Sequence, residues 1–119
     1  MTTPTEQVNL TNAINSLVYE AHQNAVLHGF YQNEDDQHIG VKIALMHTEL
    51  SELFEAFRKG TNTKPDEHCP DFCNEEIELA DLLIRAFDYA GWRNLRLGQA
   101  ILAKHEYNKQ RPYLHNKVC

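Results

Sequence analysis

The 119-residue chain carries 11 lysines and arginines against 17 aspartates and glutamates, a formal net charge of −6. This excess of acid argues against a nucleic-acid-binding surface, because phosphates need a basic face. No apolar run approaches the ~20 residues of a membrane helix, and residues 1–10 lack the positive start and apolar middle of a signal peptide. We therefore expect one cytoplasmic domain, residues 1–119, that binds neither nucleic acid nor membrane.

The first predicted helix begins at Leu10, where apolar residues start to recur at steps of three and four. Positions 11–12 hold Thr and Asn, either of which suits an N-cap. Residues 1–9 are predicted to be a loose lead-in. The helix should end near His28, because Gly29 is the residue type favoured just past a helix C-terminus.

Two aromatic residues, Phe30 and Tyr31, follow this glycine in a polar loop. Their side chains either plug the end of the helix bundle or stack on a nucleobase. The plug is the simpler interpretation, because large apolar side chains beside a helix end are usually part of the core.

The second helix is predicted from Ile39 to Arg58, with Gly60 ending it. Its apolar stripe is flanked by Glu49 and Glu52. The stretch 61–72, rich in proline and polar residues, is predicted to be a loop or lid.

The third predicted helix has Asn74 as its N-cap and ends at Gly91. Its apolar residues surround nearly the whole helix, which a stable helix tolerates only if it is buried on every side. In so short a chain this indicates contact with another subunit. Glu78 and Asp81 are set into this helix and should be partly buried.

The fourth predicted helix begins near Asn94 and ends before Pro112, because the residue before a proline is pushed out of helical geometry. Steps of three and four along its polar face place together a row of polar residues: Lys104, Asn108 and Arg111, with Tyr107 beside them.

Three cysteines, Cys69, Cys73 and Cys119, form a poor disulfide framework because their number is odd. His68 adds a further metal-binding side chain, but structural zinc usually has four ligands in paired short spacings. We expect reduced cysteines in a loop.

Two pairs of acids, Glu49 with Glu52 and Glu78 with Asp81, carry the functional hypothesis. Residues three apart lie on one helix face, so two such faces brought together would place four carboxylates around one point. Carboxylates that gather in this way raise each other's pKa unless a cation neutralises them. Hard cations prefer oxygen ligands, and Mg²⁺ commonly takes carboxylates together with substrate phosphates. The pattern predicts a Mg²⁺ site that faces a phosphate-bearing ligand.

In order, the motifs are Glu-x-x-Glu at 49–52, Glu-x-x-Asp at 78–81 and Lys-x-x-Tyr-Asn-x-x-Arg-Pro at 104–112. This combination resembles the MazG-like, all-α nucleoside triphosphate pyrophosphohydrolase superfamily, over residues 42–116. Either acidic motif alone is weak, because such pairs occur by chance in many helices. The ordered set of three is specific.

The resemblance implies a four-helix fold that forms a homodimer or homotetramer. It implies hydrolysis of the α–β linkage of a nucleoside triphosphate, with a deoxynucleotide favoured and Mg²⁺ or its substitute Mn²⁺ as cofactor. By position, the metal ligands and catalytic residues are Glu49, Glu52, Glu78 and Asp81. One glutamate, or a metal-bound water that it orients, would be the general base. Phosphate and sugar would be held by Lys104, Tyr107, Asn108 and Arg111.

This chain has Thr48 where many relatives have a further Glu, so the resemblance decides neither the number of metal ions nor the group that activates water. House-cleaning of unwanted nucleotides is the physiological role that the resemblance suggests.

Two other classes compete with the enzyme hypothesis. A di-iron bundle would need two Glu-x-x-His motifs, and neither acidic pair here ends in His. A non-catalytic α-helical homo-oligomer, or a nucleotide-binding module, would carry the acids without metal-dependent turnover.

Overall fold

The computed structural model describes residues 2–112, with positions 35 and 36 described by their backbone alone. Its regular structure over this range is helical: α1 is Pro4–Leu27, α2 is Ile39–Arg58, α3 is Asn74–Trp92 and α4 is Leu97–Lys109. A short 3-10 helix, Glu34–Gln37, precedes α2. The predicted all-α architecture with four helices is confirmed.

Helix α3 lies at the centre of the fold, because both α1 and α2 pack against it. Helix α4 packs against α1. The two acid-bearing helices, α2 and α3, are therefore direct neighbours. Among the residues described, no helix combines the length and the apolar character needed to cross a membrane.

The start of α1 differs from the prediction. Thr3 Oγ1 accepts a hydrogen bond from the Glu6 backbone at 3.1 Å, and Glu6 Oε2 accepts one from the Thr3 backbone at 2.9 Å. This reciprocal pair is a capping box, and Pro4 supplies the favoured residue at the first helical position. Residues 4–9 are therefore helical rather than a loose lead-in.

The predicted bounds of α2 are confirmed, and Gly60 follows it with a φ of 71°. The connection from Thr61 to Phe72 is irregular, as predicted. It is fastened by an isolated antiparallel bridge between Pro65 and Cys73.

The ends of α3 correct two predictions. Cys73, not Asn74, is the N-cap, and the helix continues through Gly91 to Trp92. Gly91 has a packing role instead: a Cβ there would lie 2.6 Å from His22 Cβ. The absence of a side chain lets α1 approach α3 closely at this point.

Helix α4 begins at Leu97 rather than near Asn94, which has a φ of 55° and turns the chain after α3. The Gly98 backbone donates to Asn15 Oδ1 of α1 at 2.9 Å. A side chain from the neighbouring helix therefore satisfies one of the free backbone N–H groups at the start of α4.

One surface of the α2–α3 pair is apolar and exposed. We call it the apolar face and define it by Leu50, Phe54, Phe57 and Leu79. Phe54 and Phe57 are 63% and 66% exposed, and all four side chains line one groove. Contiguous apolar patches of this kind usually mark interaction surfaces.

Candidate metal centre

The packing of α2 on α3 brings three predicted ligands together. One carboxylate oxygen from each of Glu49, Glu52 and Glu78 lies within 4.8 Å of the other two. Among the side chains that the structure describes, no other group of three His, Cys, Asp or Glu residues is as close. His68, Cys69 and Cys73 form no such group, and both of these cysteines are unpaired. Cys119 lies outside the described residues.

Asp81 belongs to the same electrostatic cluster. Burial raises its pKa above 3.8, and the Glu49 and Asp66 carboxylates raise it further. Asp81 also lines the same cavity as Glu49 and Glu52. All four acids that the sequence singled out are thus close enough to influence one another.

Glu49 is held in place by Arg85. The Glu49 side chain is buried, with the residue 8% exposed, and its Oε1 accepts a hydrogen bond from Arg85 Nε at 3.0 Å. Arg85 lies four residues after Asp81, which places both on one face of α3. The sequence contained this spacing, but no role was predicted for Arg85. Arg85 compensates one of the four negative charges, so the cluster keeps an excess of negative charge.

The uncompensated negative charge affects the pKa values of two glutamates. Loss of hydration raises the pKa of Glu52, and the nearby Glu49 carboxylate raises it further. Loss of hydration likewise raises the pKa of Glu78, with Glu52 the next cause. One carboxylate oxygen of Glu52 lies within 4.8 Å of one of Glu78, and this proximity raises the pKa of Glu78.

Glu78 has one oxygen that nothing in the described structure satisfies. Its Oε2 is buried and receives no hydrogen bond. Native proteins pair nearly all buried polar atoms, and an exception needs an explanation. Since the surrounding groups are other carboxylates, a cation is the partner that this oxygen fits best.

Three of the four acids, Glu49, Glu52 and Asp81, line a cavity of about 280 Å³. Its lining residues come from α1, α2, α3 and the segment after α1: Ala21, Asn24, Ala25, Phe30, Glu49, Glu52, Asp81, Ile84, Arg85 and Asp88. The small side chains on α1 leave room above the acids. Asp81 and Asp88 lie two turns of α3 apart, about 10 Å, so we distinguish an acidic end at Glu49, Glu52 and Asp81 from a second end at Asp88.

Asp88 organises this second end. The residue is 8% exposed, and its Oδ1 accepts a hydrogen bond from the Tyr31 hydroxyl, with the two oxygens 2.8 Å apart. His22 Nδ1 lies 3.0 Å from the same oxygen. Tyr31 is therefore packed into the α1–α3 junction, whereas Phe30 lines the cavity. Of the two alternatives, Tyr31 fits the plug, while Phe30 is placed for contact with a ligand.

Asp66 is a further acid that the sequence analysis did not single out. It is buried, and its Oδ2 accepts backbone hydrogen bonds from His68 and Cys69, each at 2.9 Å. These bonds stabilise the loop before α3. Asp66 is close enough to raise the pKa of Asp81. The signal in the sequence was an aspartate after proline, a pattern typical of such turns.

The predicted substrate-binding row lies elsewhere. Lys104 Nζ is 4.6 Å from the centre of the Tyr107 ring, and Arg111 Cζ is 5.5 Å from it. These three residues therefore do form one group, with Asn108 on the same helix. None of the four lines the acidic cavity of the described chain. Thr48, in turn, is exposed, and its hydroxyl donates to the Ala44 backbone.

Comparison with protein-family models, with curated proteins and with solved structures gave no match for this chain. The resemblance to MazG-like enzymes therefore stays a prediction.

Proposed function

We propose that the chain is a Mg²⁺-dependent pyrophosphohydrolase, which cleaves the α–β linkage of a nucleoside triphosphate, with a deoxynucleotide favoured. The products would be a nucleoside monophosphate and pyrophosphate. The observation that carries this proposal is the buried, unpartnered Oε2 of Glu78, which lies beside Glu49 and Glu52, two carboxylates that line one cavity together with Asp81. House-cleaning of unwanted nucleotides would be its physiological role.

The donor set suits a hard divalent ion. Glu49, Glu52 and Glu78 would hold it, with Asp81 completing the set, and all of them offer oxygen. Mg²⁺ and Mn²⁺ favour such ligands, whereas zinc favours nitrogen and sulfur. The cluster contains no His, which also argues against the di-iron alternative. When bound, the ion would neutralise phosphate charge.

Different residues of the chain would have different roles in the reaction. Glu52 is exposed and lines the cavity, so water can reach its carboxylate. A carboxylate that water can reach can act as a general base. In the reaction, the water oxygen bonds to the α-phosphorus, its proton passes to Glu52, and the bond to the bridging oxygen breaks. Arg85 keeps Glu49 oriented and adds positive charge beside the phosphates.

To test this proposal, pyrophosphate release is measured from a set of ribo- and deoxynucleoside triphosphates with Mg²⁺, with Mn²⁺ and with EDTA. Turnover that requires the divalent ion and yields pyrophosphate supports the proposal. Binding without turnover would favour a nucleotide-binding module. Metal-independent release of inorganic phosphate alone would contradict it.

We also propose a homodimer or homotetramer. The apolar face supports this, because four large side chains would otherwise remain in water. The distant basic row supports it independently. A substrate bound at the acids of one subunit could then meet Lys104 and Arg111 of a second copy. A non-catalytic homo-oligomer would share the apolar face but not the metal-dependent turnover.

A complementation assay tests whether active sites are shared. Glu52→Gln and Lys104→Ala subunits are each expected to be inactive. If the row acts across the interface, unfolding and refolding them together should produce oligomers with some intact sites. We expect activity that neither variant has alone, with the oligomer followed by light scattering. The wild-type chain carried through the same refolding is the control. No recovery from a mixed oligomer would place the row and the acids in the same subunit.

A further inference from the structure

The acidic end of the cavity is accounted for by metal and phosphate, but the Asp88 end is not. Both hydrogen bonds to Asp88 reach the same atom, Oδ1. Among the described residues no hydrogen bond reaches Oδ2, although Asp88 is 8% exposed and lines the cavity. Oδ2 is not a fully buried atom, so it is an accessible carboxylate oxygen on a residue that lines the cavity, where it can accept a hydrogen bond from a ligand.

The Oδ2 atom restricts which ligand groups can bind to it. Tyr31 donates its hydroxyl hydrogen to Oδ1, and Arg85 lies along the same cavity. An aspartate carboxylate accepts hydrogen bonds and offers no donor. A ligand group at Oδ2 must therefore be a donor, and a ligand oxygen there would be repelled.

The position of Asp88 selects which part of a nucleotide it meets. It lies seven residues after Asp81 on α3, which is two turns and about 10 Å along the same helix face. In a nucleoside triphosphate the sugar hydroxyls lie nearer to the α-phosphate than the outer edge of the base does. With the phosphates at the acids, Asp88 is at the distance of the base edge.

The same cavity also offers an apolar surface that fits a base. Phe30 lines the cavity and is about half exposed, so its ring offers an apolar surface on which a base can lie. Its position is secured by Lys42, whose Nζ lies 3.4 Å from the Phe30 carbonyl oxygen and 3.9 Å from the centre of the Tyr31 ring.

We infer that Asp88 determines base specificity: Oδ2 accepts a hydrogen bond from an exocyclic amino group, so the site selects amino-bearing bases over their oxo counterparts. This inference rests on the proposed pyrophosphohydrolase function. Cytosine and adenine carry the amino group, whereas uracil and hypoxanthine present a carbonyl oxygen at the same place. The oxo base would lose the hydrogen bond and place its oxygen against a carboxylate.

The experiment compares kcat/KM within two matched pairs, dCTP with dUTP and dATP with dITP. Within each pair the bases differ at this group and at the protonation of the adjacent ring nitrogen. We expect the wild-type protein to favour the amino member of the pair that it accepts by about 10- to 100-fold. In Asp88→Asn, the oxygen bonded by Tyr31 is kept and the other becomes an NH₂ donor, so the preference should fall to one or reverse.

A second variant separates specificity from structure. Tyr31→Phe removes the donor to Oδ1 but leaves Oδ2 chemically unchanged, so it should lower activity without reversing the preference. Equal losses on all four nucleotides in Asp88→Asn would show that Asp88 is only structural and would overturn the inference. So would equal wild-type kcat/KM values within both pairs, a result that does not depend on any variant folding.

Failure of the proposed function gives a different result. In that case no nucleotide is hydrolysed, and the same four nucleotides are compared by equilibrium binding with Ca²⁺ present. An amino preference in binding that Asp88→Asn abolishes would keep the base site without the reaction. Binding with no such preference, or no binding, would remove the inference as well.

Discussion

Replacing Glu78 with glutamine is expected to abolish Mg²⁺-dependent pyrophosphate release while the helical circular dichroism spectrum stays unchanged. Glu78 Oε2 is buried without a donor, so it gains more from a cation than a solvated carboxylate would. Glutamine keeps the shape of the side chain but replaces a charged oxygen by a neutral amide. We expect kcat/KM to fall by more than about 100-fold, measured as pyrophosphate release over a range of Mg²⁺ concentrations.

Glu75→Gln is the matched control for this experiment. Glu75 lies on the same helix, it is exposed, and its Oε1 accepts from Asn62 Nδ2 at 3.1 Å, outside the group of three. The same chemical change there should leave kcat/KM nearly unaltered. Glu52→Gln and Asp81→Asn should behave like Glu78→Gln. If Glu78→Gln instead unfolds the protein, Glu78 is structural, and if it stays active, the cluster is not the catalytic metal site.

The second large effect concerns the stability of the metal-free protein, which should decrease between weakly acidic and neutral pH. The pKa values of Glu52 and Glu78 are raised above 4.5, and that of Asp81 above 3.8. The folded state therefore binds protons more tightly than the unfolded state at these groups. Their stabilising contribution is present below their unfolded pKa values and is lost as pH rises through the folded ones.

Two other glutamates act in the opposite direction. Arg58 lowers the pKa of Glu55, and a backbone hydrogen bond from Cys73 lowers that of Glu76. Both are on the surface, where such effects are strongly screened. Subtracting the Glu78→Gln curve from the wild-type curve removes their contribution, because both proteins contain them. In metal-free buffer at pH 7, Glu78→Gln should be the more stable protein.

Mg²⁺ should restore the stability that the wild-type protein loses as pH rises. At a concentration about 100 times its Kd, an ion that binds only the folded state adds about 2.7 kcal/mol to the free energy of unfolding. The Glu78→Gln variant should gain little. Urea unfolding from pH 5 to 8, with EDTA and with Mg²⁺, measures both effects. A wild-type stability that neither falls with pH nor responds to Mg²⁺ would contradict a shared metal site.

Local rules predicted much of this fold. The bounds of α2 follow from apolar periodicity and a terminal glycine, and both acidic pairs lie on single helix faces because three residues make nearly one turn. The error at α1 was also local: Thr3, Pro4 and Glu6 carried a capping-box signal that was not used.

The incorrect prediction at Gly91 has a different physical origin. A glycine near the end of an apolar segment is typical of a helix terminus, but here it lies inside α3, where α1 approaches closely. Whether a glycine ends a helix or admits a neighbour depends on which helices cross. No local pattern contains that information.

By itself, then, the sequence determined the helical class, the existence of four helices and the two acid-bearing faces, because these depend on residues within a few positions of each other. The tertiary structure decided which groups meet. Packing of α1 and α2 on α3 joined Glu49 to Arg85 and Asp88 to Tyr31 across long sequence separations. Packing of α4 on α1 likewise left Lys104 and Arg111 out of the acidic cavity. Side chains on different helices become neighbours through the burial of apolar surface around them, which no spacing along the chain records.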